Sequence, residues 1–250
     1  MTVRWLTAFL DRPGERLDAS VAFWRAVTGS GLSAPRGERG EFATLLPTDG
    51  DAHLRVQRVV DGPGGTHLDV HVDDVAAAAA RFAALGARVL QDGAYVTMAS
   101  PAGIVFCVVP HRGQATRPSP VDDGGMRSLV DQLSLDVPAG QFDTEGAFWA
   151  AATGWDLHRG ALAEFAVLAR PAGQPLRLLL QRLGDDDLGG GRAHLDLACG
   201  ADVDAVASRH VALGATVVRT TPYWTTLLDP AGLPYCLTRR DPDTGTLPPS

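Results

Sequence analysis

The chain has 250 residues, of which 45% are apolar and 20% charged, with a net charge of −7. That balance suits one large or two ordinary globular domains and argues against a phosphate-backbone binder, whose affinity rests on positive patches. No apolar run is long enough for a membrane-spanning helix, and the opening MTVRWLTAFLDRPG lacks the basic-then-apolar order of a signal peptide, so a cytoplasmic protein is expected. All 22 basic residues are Arg, and Lys and Asn are absent, a composition expected of a high-GC bacterial gene. Without Lys there is no Schiff base to a carbonyl and no Walker-A phosphate loop. No Gly-x-Ser-x-Gly elbow and no His-Glu-x-x-His is present either. The cysteines Cys107, Cys199 and Cys236 are widely spaced and odd in number, which predicts buried thiols rather than disulfides.

In chain order, a β-rich run over 3–10 leads to Asp18, read as an N-cap, and to a helix ending near Gly29. Strand-like runs follow at 41–46, 53–60 and 66–72. An Ala-rich helix begins after Asp73 and stops at Gly86, placed as a C′ glycine. Short strands near 88–90, 95–99 and 104–109 complete the half.

The pattern then repeats. Phe23-Trp24 through Thr28-Gly29 recurs as Phe148-Trp149 through Thr153-Gly154, and Glu41-Phe42-Ala43 as Glu164-Phe165-Ala166. Gln57-Arg58 recurs as Gln181-Arg182, His67-Leu68-Asp69 as His194-Leu195-Asp196, and Leu85-Gly86-Ala87 as Leu213-Gly214-Ala215. Pro101-Ala102-Gly103 running to Cys107 matches Pro230-Ala231-Gly232 running to Cys236. Six blocks in conserved order identify a tandem duplication. The expected domains are 1–110 and 128–240, joined by a Pro- and Gly-rich linker over 111–127 and followed by a flexible tail at 241–250. Each half divides again into two βαβββ modules, giving four in the chain.

These blocks resemble the vicinal-oxygen-chelate superfamily, the glyoxalase and bleomycin-resistance type, in its glyoxalase-like branch. The second half carries every mark, including Asp229-Pro230-Ala231-Gly232; the first has Ser100 where that Asp would stand. The resemblance implies an α+β fold, with four βαβββ modules forming two cup-shaped mixed β-sheets and helices on the convex faces. It also implies four inward positions per cup that ring a divalent metal in the metal-dependent members. These map to Thr7, Gln57, His67 and Cys107 in the first half and to Gln132, Gln181, His194 and Cys236 in the second.

Such sites usually combine two His with one or two carboxylates. Each half keeps only its His at these positions, with Cys as a second conceivable zinc ligand. The expectation is therefore no cofactor, with a divalent metal as the lesser possibility. A rival row is His67, Asp69 and His71, which share one face of a strand. Trp5 and Trp224 lie on strands where they could serve as aromatic platforms. The ligand-binding set read from sequence is thus Trp5, Thr7, Gln57, His67, Asp69, Cys107, Gln132, Gln181, His194, Trp224 and Cys236.

Two functions follow. The first is a metal-free small-molecule binder for sequestration or resistance, its ligand neutral or cationic given the net acidity. The second is an enzyme of lyase, isomerase or dioxygenase type, using His67 or His194 with atypical metal ligands or as acid–base. The expected partner is a small molecule, with no nucleic acid and no membrane. Monomer and homodimer both stay open.

Overall fold

The computed structural model describes residues 2–187 and 189–247. The first half contains β1 (Trp5–Pro13), α1 (Gly14–Thr28), β2 (Gly31–Leu32), β3 (Phe42–Leu46), β4 (Leu54–Val59), β5 (Gly65–Val72), α2 (Val75–Ala84), β6 (Arg88–Gln91), β7 (Val96–Ala99) and β8 (Val105–Pro110). After a short β9 (Val121–Asp123), the second half contains β10 (Met126–Val137), α3 (Phe142–Thr153), β11 (Leu157–Arg159), β12 (Phe165–Leu168), β13 (Arg177–Arg182) and β14 (Arg192–Ala198). It ends with α4 (Val203–Ala212), β15 (Thr216–Thr220), β16 (Trp224–Leu228) and β17 (Pro234–Thr238). Four βαβββ modules are present, as the repeat requires.

Local chemistry sets the boundaries. Asp74 caps α2 by accepting from the Ala77 backbone N–H at 2.9 Å. Gly29 and Gly154 end α1 and α3 in the left-handed region (φ 59° and 75°), where a Cβ would be strained. Asp18 does not cap α1. The helix begins at Gly14 directly after Pro13, whose φ of −54° is set for helix entry, with Glu15 in the first turn.

The strands form two mixed sheets, in the orders β2-β3-β4-β1-β5-β8-β7-β6 and β11-β12-β13-β10-β14-β17-β16-β15, with β9 added beside β10. Within them β5–β8 and β14–β17 pair parallel. The expected cup shape is overturned, because both orders are open and the end strands do not pair with each other. The physical reason lies in those ends. Every residue of β6 and β15 is exposed, each strand carries a register shift, and β2 is two residues long. Short, bulged edges of this kind resist further pairing.

Contacts gather the described residues into two compact units that cut across the halves. One draws on Met1–Phe9, Thr66–Thr116 and Leu133–Ala193, the other on Leu10–Gly65, Arg117–Gln132 and His194–Ser250. The first unit is built around Phe82, Phe106, Phe148 and Trp149, whose rings meet edge-on or tilted with centroids 5.1 to 6.4 Å apart. The second has Phe23, Trp24, His210 and Tyr235 at the repeat-equivalent positions. Polar atoms enter that second cluster as a pair, His210 Nδ1 lying 2.9 Å from Tyr235 Oη. Burial holds the His210 imidazole down to about 4, so it is neutral at pH 7 and shares one hydrogen bond with the tyrosine hydroxyl.

Each unit also buries one carboxylate against a tryptophan. In the second, Asp229 accepts from Trp24 Nε1 at 2.9 Å, from Arg12 at 2.7 Å and from the Ala231 N–H at 2.9 Å. In the first, where Ser100 replaces that Asp, Glu145 of α3 takes the role. It accepts from Trp149 Nε1 at 2.7 Å and from the Ala102 N–H at 2.8 Å. Burial pushes the Glu145 carboxyl above the usual range, offset in part by those hydrogen bonds.

The stretch at 241–250 was expected to be loose. Its last three residues lie outside the described ones, while Asp241 to Thr246 form a hydrogen-bonded turn with Asp243 paired to Arg127.

Candidate metal centre and ligand site

On β14 the side chains alternate, with Leu195 and Leu197 in the core at 1% exposure and His194 and Asp196 on the opposite face. Parallel pairing sets Cys236 of β17 directly across from Asp196, and antiparallel pairing sets Thr226 of β16 across from Cys236. His194 Nε2 lies 3.2 Å from Asp196 Oδ1 and 3.6 Å from Cys236 Sγ. Thr226 Oγ1 lies 3.4 Å from the same sulfur. Gln132, on β10, donates its amide N–H to Asp196 Oδ2, which leaves Oδ1 facing the histidine. His194, Asp196 and Cys236 are all buried.

The first half repeats this row on β5, β8 and β7. Asp69 stands opposite Cys107, and Cys107 opposite Thr97. His67 Nε2 is 3.8 Å from Asp69 Oδ1, and Thr97 Oγ1 is 3.6 Å from Cys107 Sγ. The His67 ring stacks on Phe9 with centroids 4.6 Å apart. In both rows the three donor atoms lie within 4.8 Å of one another.

The atom on which these groups converge decides what the arrangement can do. In a cysteine–histidine–acid relay the acid holds one ring nitrogen while the other faces the thiol. Here carboxylate and sulfur both approach Nε2 of His194. Converging N, O and S donors are a ligand set, and zinc accepts all three types. Ligands around a tetrahedral zinc stand about 3.3 Å apart for N and O and about 3.5 Å for N and S. The observed 3.2 and 3.6 Å fit that spacing. Gln132 supplies the outer hydrogen bond that orients a ligating carboxylate.

The remaining sequence candidates are placed as follows. Thr7, fully buried, has Oγ1 2.9 Å from His71 Nε2, which ties His71 to β1 two residues along β5 from Asp69. Gln57 on β4 and Gln181 on β13 are half-buried opposite Phe42 and Phe165. Trp5 is 1% exposed, whereas Trp224 on β16 is half-buried and shares its face with Thr226. Cys199 stays outside the row, with burial raising its thiol to about 12.

Sequence reasoning counted two good ligands per half and missed Asp196, Thr97 and Thr226. The repeated His-Leu-Asp was the available signal for Asp196. The threonines had none, since their place depends on strand register.

The family model for the glyoxalase-like domain matches residues 8–109 and again 132–238. Among curated proteins none matches the sequence. Several solved structures share the fold. The 2,3-dioxygenase LapB from Pseudomonas sp. KL28 aligns with a TM-score of 0.66 at 15% identity, over 95% of this chain and 92% of its own. The 2,2',3-trihydroxybiphenyl 1,2-dioxygenase from Sphingomonas wittichii strain RW1 gives 0.62 at 17% identity, over 98% and 95%. The Mn(II)-bound glyoxalase from Novosphingobium aromaticivorans gives 0.58 at 19% identity, over 100% and 87%. Such identities speak for the fold alone. With its family model matched twice along the chain, the protein belongs to the glyoxalase-like domain family, as a tandem member of the vicinal-oxygen-chelate superfamily.

Proposed function

We propose that the protein is a metal-dependent enzyme of the lyase or isomerase kind acting on a small molecule, with the second-half site as its better-formed centre. The observation that carries this reading is the shared approach of Asp196 Oδ1 and Cys236 Sγ to Nε2 of His194, built a second time with His67, Asp69 and Cys107. His194, Asp196 and Cys236 would hold a divalent metal, zinc before the others because a thiolate is among the donors. A metal so held supplies Lewis-acid polarisation of a substrate oxygen.

The chain's own residues do the rest. Gln132 fixes the Asp196 carboxylate, and Thr226 directs its hydroxyl at the Cys236 sulfur. The metal-free binder is the weaker reading, because it rested on two ligands per half and the aspartates make a third. Cobalt substitution tests the proposal. A thiolate-to-metal charge-transfer band should appear on loading the apoprotein with Co²⁺ and weaken sharply in Cys236→Ser. A band-free spectrum at saturating Co²⁺ would reject the site.

A further inference from the structure

The second-half row does not stop at Thr226. On β15 the register shifts between Val217 and Arg219, so that Arg219, rather than its neighbour, pairs with Thr226. Residues directly opposite in an antiparallel pair share a face, and the Thr226 hydroxyl points at Cys236 Sγ. Arg219 therefore stands on the site face, in line with Thr226, Cys236 and Asp196 across four adjacent strands. Its side chain is exposed, and it takes part in none of the ion pairs found among the described residues. A bulge is the device by which a strand re-aims one side chain.

The first half has the same shift, between Val89 and Gln91, and Gln91 pairs with Thr97. The geometry is thus duplicated, but the residue at its end is not: an arginine in one half and a neutral amide in the other. An aromatic residue flanks each row two positions before the threonine, Trp224 in the second half and Tyr95 in the first.

We propose that Arg219 makes the second-half site selective for a small aromatic carboxylate, and that Gln91 leaves the first-half site selective for an uncharged molecule. The inference rests on the same site as the proposed function and adds the charge of its ligand. Two strand spacings, about 10 Å, separate the backbones of Arg219 and Cys236, a gap that one ring with a carboxylate spans between the reaching side chains. Guanidinium matches a carboxylate through two parallel hydrogen bonds, which Gln cannot reproduce. A single negative charge is favoured over a phosphate dianion by the nearby Asp196 and by the net charge of −7. The local cation thus reverses, for this half, the neutral or cationic ligand that net charge alone suggests.

Salicylate and its uncharged amide, salicylamide, form a matched pair of probes. Binding to the zinc-supplemented full chain is followed by tryptophan fluorescence, with Trp224→Phe identifying the signal from this site. Wild type should bind salicylate about three- to tenfold more tightly than salicylamide, the range of a partly exposed charged pair. Arg219→Gln should bring salicylate down to the salicylamide level, and Gln91→Arg should add a second salicylate site. An undiminished preference in Arg219→Gln, tighter binding of phenyl phosphate than of salicylate, or no saturable salicylate binding would each overturn the proposal. Zinc content measured on the same samples separates the two ideas. Charge preference without zinc removes the metal and leaves Arg219 standing, while zinc without preference does the reverse.

Discussion

Cys236 stands opposite Asp196 in the parallel register of β14 and β17, and both side chains approach the same nitrogen of His194. The pleat makes this possible. Residues two apart on β14 share a face, so His194 and Asp196 reach the sulfur of the neighbouring strand together while Leu195 and Leu197 fill the core.

Gln132 is expected to act through Asp196. Gln132→Leu removes the amide N–H that holds Oδ2, and loss of such an outer hydrogen bond weakens metal affinity by about 10- to 100-fold. Competition with a chelator of known affinity measures it. Gln132→Glu, which cannot donate to Asp196 when ionised, should be at least as weak; unchanged affinity in both variants would show Gln132 to be a bystander.

The buried ion pair between Arg240 and Asp131 lies beside this site in sequence and has no counterpart in the first half, where His111 and Leu6 stand. Both side chains are almost fully buried. Arg240→Met strands the Asp131 carboxylate and should cost about 3–5 kcal/mol in urea unfolding. The double variant Arg240→Met with Asp131→Leu should regain much of that loss, because no charge is then left unpaired.

Acid sensitivity should trace in part to His210. Its folded value is depressed to about 4 against an ordinary 6.5. Between those values the unfolded chain binds the proton and the folded one does not, so stability is full above about pH 6.5. It falls as the pH drops toward 4. His210→Phe, which restores the residue present as Phe82 in the first half, should flatten the stability profile across that window. A profile with the same slope would assign the acid loss to other groups.

Much of the fold was legible because local chemistry writes it. Alternating apolar residues mark β14 and β17, Gly29 and Gly154 mark helix ends, and the repeated blocks mark the duplication. What was not legible depends on residues far apart in sequence. Openness of the sheets is decided by whether end strands can pair, and the exposure of β6 and β15 is invisible until the sheet is built. Ser100 looked like a defect in the first-half motif, yet Glu145 of α3 supplies the missing carboxylate. Asp196 became a candidate ligand only when the register placed it against Cys236. The His-x-Asp pair was visible as a repeated motif and Asp69 was read as a site residue from it, whereas its repeat partner Asp196 was not.

Zinc stoichiometry tests the central claim most directly. Elemental analysis of the protein purified without chelator should find about one zinc per intact row, so close to two per chain. His194→Ala and His67→Ala should each remove about one, and the double variant should remove both. Folded protein carrying no bound zinc after incubation with Zn²⁺ and desalting, or zinc retained in the double variant, would contradict the account.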